Sequence, residues 1–205
     1  RFLDEISGRR FLTFEVSANR NARAILGENP EAAILSAYAE VSGKISCHAA
    51  RALGPVPEIR RRESPQSFKE QILEFHKNRY TVRVPEVRSV TPDLDRFVRA
   101  LELIFQTEAE AVAFWSDSEG AAPVHHDNYD IFVVQVLGKK KWFISTEPSS
   151  MPNRWQVIPE GVPRLDHYQE VEVNVGDVLY IPRGTTHRVE GLAESIHISI
   201  GFTPV

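Results

Sequence analysis

The sequence predicts a mainly β protein with flanking helices, folded as one domain around a sandwich or barrel of short strands. Three observations carry this. From Glu110 onward the chain is a series of short β-forming runs separated by glycine- and proline-bearing turns. Before Arg88, helical and loop-like segments dominate. The 205 residues, 42% of them hydrophobic, suffice for one domain with a substantial core. The domain therefore spans 1–205, with a helical and mixed N-terminal part over 1–109 packing on barrel strands over 110–205.

The elements follow in order. Arg10 to Val16 carries Phe11, Thr13, Phe14 and Val16, all β-formers, and reads as a strand. Pro30 to Val41 reads as a helix. Ser64-Pro65 opens another, since proline fits the first helical turn, where its missing N–H would be unpaired anyway. A start one turn later would make Ser67 and Glu70 a capping box. Ile72, Leu73 and Phe75 supply that helix's apolar side. Tyr80 to Val84 alternates as a short strand. Thr91-Pro92-Asp93 starts the clearest helix, in which Leu94, Phe97, Val98, Leu101 and Ile104 recur at steps of three and four. Strands are then expected over Ala111–Trp115, Ile131–Val136, Lys140–Ile144, Glu170–Asn174, Val178–Ile181 and Ser195–Phe202. Leu137-Gly138-Lys139 reads as a tight hairpin turn between two of them. On the last strand Ile196, Ile198, Ile200 and Phe202 share one face, and Ser195, His197, Ser199 and Gly201 the other. That polar face either meets water or lines a cavity.

Composition removes several classes of function. A net charge of −4 and a pI of about 6.0 argue against a general nucleic-acid binder. Arg60-Arg61-Arg62 sits among Glu58 and Glu63 in a proline-bearing stretch and reads as a solvated loop. No run approaches the roughly 20 apolar residues of a membrane span. The single cysteine, Cys47, cannot form an internal disulfide, reads as a small buried hydrophobe, and suits a reducing compartment, hence a cytoplasmic location. The chain begins at Arg1, so an absent targeting segment says little.

Seven histidines are present. His48, His76 and His167 lie in helical, loop-like or polar stretches and read as surface or capped residues. His125-His126-Asp127 differs. In extended chain His125 and Asp127 face one side and His126 the other. One imidazole and one carboxylate on one face are two ligands of a metal triad. His187, after a strand ending in Pro182 and a turn through Gly184, is the best third. Two histidines and one carboxylate with open positions suit non-haem Fe(II) oxygenases. A local His125–Asp127 pair unrelated to His187 is the competing reading.

The stretches PVHHDNYDIFVVQVLGKKKW (123–142), GDVLYIPRGTTH (176–187) and SIHISIGF (195–202) resemble the cupin-like JmjC oxygenases, especially the ribosomal oxygenase group. The resemblance covers roughly the second half of the chain. It implies a double-stranded β-helix of the jelly-roll (cupin) type, and Fe(II) held by His125, Asp127 and His187. It implies 2-oxoglutarate as cosubstrate, its distal carboxylate paired by Lys140 and helped by Ser199. His197 lies on the same strand face as Ser199 and shares or fills that pocket. Asn128 resembles a common residue after the aspartate ligand and reads as its support. Strand parity agrees in part: Lys140 points opposite to Lys139 and Lys141, and a lysine inside a cavity calls for an anion. Some relatives carry a tyrosine on the first barrel strand that reaches 2-oxoglutarate. The matching register here is Ala113, so Trp115 or Tyr180 is expected to complete the pocket. Ribosomal oxygenases also continue past the barrel into a dimerisation region and a winged-helix domain. This chain ends at Val205, either as a truncated piece or as a smaller relative, and a homodimer is left open.

The implied activity is that of a 2-oxoglutarate-dependent dioxygenase hydroxylating a protein or peptide side chain. Hydroxylation of a small molecule or natural product, and a non-catalytic metal-binding cupin module, are the rivals.

Overall fold

The computed structural model describes residues 11–14, 24–147 and 163–203. Two antiparallel sheets face each other. The larger, in the order β1-β9-β6-β11-β4-β3-β2, comprises β1 (Leu12–Phe14), β2 (Ser46–His48), β3 (Thr81–Val84), β4 (Ala109–Ser116), β6 (Asp130–Leu137), β9 (Val178–Ile181) and β11 (Ser195–Phe202). The smaller, in the order β5-β10-β7-β8, comprises β5 (Ala121–His125), β7 (Lys139–Ser145), β8 (Tyr168–Asn174) and β10 (His187–Gly191). From β4 to β7, and again from β8 to β11, the chain alternates between the sheets in the manner of a double-stranded β-helix, with β7 and β8 paired within the smaller sheet. The expected strand over Arg10–Val16 is seen as β1; Arg10, Glu15 and Val16 lie outside the described residues.

Helices α1 (Pro30–Ser36), α2 (Tyr38–Val41), α3 (Pro65–Lys77) and α4 (Pro92–Phe105) precede the barrel. Each of the three longer ones starts on a polar cap followed by proline. The Asn29, Ser64 and Thr91 side chains accept from the backbone N–H three residues on. The capping box of α3 is Ser64 with Ser67, one turn earlier than the Ser67–Glu70 alternative. Two apolar assignments are corrected. Leu73 is 41% exposed, and α3 instead buries Phe68, Ile72, Phe75 and His76. Ile104 is 54% exposed, and Phe105 takes its place beneath α4. The expected Pro30–Val41 helix is broken at Ala37 into α1 and α2.

Strand alternation divides the interior in two. The outer faces of β4, β6 and β11 (Ala111, Ala113, Trp115; Phe132, Val134; Ile196, Ile198, Ile200, Phe202) pack against the helices as the main core. Between the sheets Ile131, Val133, Trp142, Ile144, Val173, Leu179, Ile181 and Val189 form a second, smaller core. Only part of the inter-sheet space is filled this way; the rest is a cavity.

The Gly138 turn is not a hairpin within one sheet. β6 belongs to the larger sheet and β7 to the smaller, so Leu137-Gly138-Lys139 is a corner. Gly138 sits at φ +60, and a Cβ there would come within 2.0 Å of the Glu194 carbonyl oxygen. Only glycine accommodates both conditions. The corner sends Lys140 inward and Lys139 and Lys141 outward, where they pair with Glu172 (3.2 Å) and Glu170 (3.1 Å). No helix among the described residues is long and apolar enough to cross a membrane.

Candidate active site

His125 and His187 are directly opposed in the β5–β10 ladder. Opposed residues of an antiparallel pair project to the same face, and here that face is the cavity. Their rings lie 4.3 Å apart, centroid to centroid. Asp127 follows β5 by two residues and brings its carboxylate to 4.0 Å from His125 Nε2 and 3.7 Å from His187 Nε2. The three ligand atoms lie within 4.8 Å of one another. Both histidines donate Nδ1–H to a backbone carbonyl two residues earlier, His125 to Pro123 (2.7 Å) and His187 to Thr185 (2.9 Å). Those bonds leave each Nε2 as the bare lone pair facing the carboxylate, the tautomer a metal ion requires. Burial and the neighbouring His125 lower the His187 pKa to about 4, so it stays neutral at physiological pH. The donor set and the tautomers both fit a divalent cation.

The loops bearing these three residues are tied together. The Gly184 amide donates to the Asp127 carbonyl (2.9 Å). Asp130, 2% exposed at the start of β6, accepts from the Arg183 amide (2.9 Å) and the Tyr180 hydroxyl (2.5 Å). Burial raises the Asp130 pKa. Asn128, expected as support for the aspartate, is exposed and outside the cavity lining.

The cavity has a volume of about 630 Å³. His125, Asp127, His187, Lys140, His197 and Ser199 all line it. Lys140 is 2% exposed, and its ammonium reaches His197 Nδ1 (3.0 Å) and the Phe114 carbonyl (3.4 Å). Neither partner is anionic. Burial lowers its pKa to about 7. The polar face of β11 therefore lines the cavity, the second of the two orientations open to it.

Three pocket expectations are corrected. Ala113, Trp115 and Tyr180 all belong to the main core, on the far side of their strands. The cavity face of β4 carries Val112, Phe114 and Ser116, and β7 adds Trp142. Phe114, one residue on from Ala113, is the side chain that faces the cavity, and it offers a ring and no hydroxyl. His48 is also corrected: it ends β2, lines the cavity, stacks on Phe114 (5.6 Å, 12°) and lies 5.8 Å from the His125 ring. Burial, with the nearby His125, lowers its pKa to about 4. Nothing near His48 in sequence signals this, because β2 reaches the site only by joining the sheet through β3. His76 is buried on α3, its ring nitrogen 3.2 Å from the Trp115 carbonyl, and His167 is exposed as expected.

Two facing antiparallel sheets enclosing a cavity, with two histidines and a carboxylate converging at its wall, define a cupin-type barrel. The chain belongs to the JmjC domain family, whose model matches residues 84–205. It is 28% identical over 158 residues to ribosomal oxygenase 2 of Rattus norvegicus, covering 73% of this chain and 33% of that protein. It is 28% identical over 137 residues to the bifunctional lysine-specific demethylase and histidyl-hydroxylase NO66 of Drosophila simulans, covering 62% and 16%. The chain thus spans about a third or less of the length of these relatives. Its fold is similar to the Escherichia coli ribosomal oxygenase YcfD solved with cobalt and 2-oxoglutarate, with a TM-score of 0.67 and 21% identity. That match covers all of this chain and 51% of YcfD.

Proposed function

We propose that this chain is an Fe(II)- and 2-oxoglutarate-dependent dioxygenase that hydroxylates a protein or peptide side chain. The observation that carries the reading is Lys140: a buried lysine, bonded to no carboxylate, in the same cavity as a His/Asp/His cluster. A cation in that position is stabilised by an anionic ligand. Membership of the JmjC family and the names of the relatives support the same reading.

His125, Asp127 and His187 would hold the iron and leave open positions on its cavity side. Iron, when bound with 2-oxoglutarate and dioxygen, supplies the oxidising power for C–H hydroxylation, with succinate and carbon dioxide as co-products. The protein's residues do the rest. The Pro123 and Thr185 carbonyls fix the two imidazoles in the ligating tautomer. Lys140 and Ser199 receive the distal carboxylate of the cosubstrate. Phe114, Trp142 and Val189 wall that pocket and keep water from it. Further along the same cavity Thr81, Arg83 and Glu110 are polar lining available to a substrate side chain.

The test is succinate formation that depends on both Fe(II) and 2-oxoglutarate, with mass spectrometry of host proteins and metabolites for products one oxygen atom heavier. His187→Ala should abolish turnover, and unchanged turnover in that variant would refute the assignment. Products confined to the metabolite fraction would favour the small-molecule rival, and metal binding without succinate the non-catalytic one.

A further inference from the structure

We propose that His197 is the positioning residue of Lys140, and that the pair makes cosubstrate binding a proton-uptake event in which the lysine becomes an ammonium as the dicarboxylate arrives. The inference rests on the functional reading above, since it takes 2-oxoglutarate as the anion.

The hydrogen-bond partners of the Lys140 amine are the Phe114 carbonyl on β4 and His197 Nδ1 on β11. The titratable and charged groups on neighbouring elements are His48 on β2, Arg83 on β3, His187 on β10, His197 on β11, Asp127 among the metal ligands and His76 on α3. Burial holds His48, His76, His187 and His197 toward their neutral forms. None of them can serve as a counter-charge. Among the described residues no carboxylate bonds to the amine, and Asp127 sits in the His/Asp/His cluster. Without a ligand the pocket therefore disfavours the charged lysine, and its pKa falls to about 7. A carboxylate placed beside it reverses the balance.

His197 fixes where this happens. Its ring stacks on Phe114 (4.9 Å, 18°) and meets Trp142 edge-on (5.4 Å, 63°), so it is held on two sides. When the charged Lys140 donates to Nδ1, the ring's own proton lies on Nε2. The histidine thus aims the amine without adding charge, and accepts from it once the lysine is an ammonium. The step balances simply: the Nζ lone pair takes one proton from the buffer, and a salt bridge to the incoming carboxylate forms.

The experiment is titration calorimetry of 2-oxoglutarate into the full chain loaded with redox-silent Mn(II), in buffers of differing ionisation enthalpy. With the free lysine near pH 7, uptake should approach about 0.9 proton per ligand at pH 8 and fall to about 0.1 at pH 6. Affinity should drop about tenfold per pH unit above that midpoint. Lys140→Arg, charged throughout, should bind without uptake. His197→Leu should weaken binding about tenfold or more and move the pH midpoint down, because the ammonium loses its best acceptor. His197→Asn, which keeps an acceptor near the Nδ1 position, should recover most of both. Were His197 only packing, leucine would do better than asparagine, and that order would overturn its role. Binding without proton uptake at pH 8 in the wild type would overturn the inference while leaving the oxygenase reading intact. No binding at any pH would overturn both. The proton count on the wild type stands whether or not the variants fold.

Discussion

Replacing Asp130 by alanine tests how the ligand-bearing loops are held. Asp130 never touches the cavity, yet it joins three pieces of chain: β6, the Tyr180 end of β9, and the turn leading to His187. Its carboxylate accepts one bond from the Tyr180 hydroxyl and one from the Arg183 amide, both buried. Depriving a buried donor of its acceptor costs about 1–3 kcal/mol each, so Asp130→Ala should lose roughly 2–6 kcal/mol. That is a large share of the roughly 5–15 kcal/mol of a typical domain. Asp130→Asn keeps an acceptor for Arg183, and the Tyr180 hydroxyl can turn to accept from the new amide; about 1 kcal/mol is expected. Urea denaturation measures the loss. Mn(II) affinity measures the consequence for the site: a residue that orients metal ligands from behind typically changes affinity about 10–100-fold. The alanine variant should fall in that range, and the asparagine variant near wild type. If Asp130→Ala keeps its metal affinity while losing stability, the carboxylate serves the fold alone and its tie to the ligand loops is incidental.

Other expectations follow from the same geometry. Gly138→Ala combines positive φ, about 1–2 kcal/mol for an ordinary residue, with a backbone collision at Glu194, so a loss of roughly 2–4 kcal/mol is expected in urea denaturation. A loss under about 0.5 kcal/mol would show that the corner is pliable. The metal-free protein should be acid-labile. His48, His76, His187 and His197 have pKa values lowered in the fold, so the unfolded chain gains their protons first as pH falls below 6.5. Stability should then decline toward pH 4 by up to about 1.4 kcal/mol per unit for each histidine. A thermal midpoint flat between pH 6.5 and 4 would contradict their burial as neutral rings. Phe114→Tyr brings a hydroxyl into the pocket proposed for the cosubstrate and should alter 2-oxoglutarate affinity with little change in the melting midpoint; an unchanged affinity would place Phe114 away from the ligand.

What could be read from the sequence depended on how locally each feature is encoded. The Pro-led helices and the Ser195–Phe202 alternation depend on neighbours within a few residues, and the structure reproduces them closely. His125 and Asp127 could be put on one face because two-residue parity is local. His48, Phe114 and Asp130 could not be found this way, because their roles arise from pairing across the sheets. β2 reaches the cavity through β3, and Phe114 faces inward only because the register runs one residue from the Ala113 expectation. A single-residue error in register exchanges every side chain between core and cavity. That one step accounts for Ala113 and Trp115 being expected in the pocket when both are core.

The three consecutive lysines show why parity alone was insufficient there as well. Alternation separates Lys140 from Lys139 and Lys141 but does not say which side faces in. The corner at Gly138 decides it, by moving the chain from the larger sheet to the smaller instead of folding it back as a hairpin. On the outside, Lys139 and Lys141 each meet a glutamate of β8 across the ladder and remain near solvent. On the inside, Lys140 meets a neutral imidazole and a carbonyl. A fold selected only for stability would replace such a residue with an apolar one, since a buried lysine without an anion is a standing penalty. The same turn that gives β7 its place in the barrel therefore also leaves a buried lysine without an anionic partner in the cavity that holds the His/Asp/His cluster, and under the proposed function a dicarboxylate able to reach both is the ligand that removes the penalty.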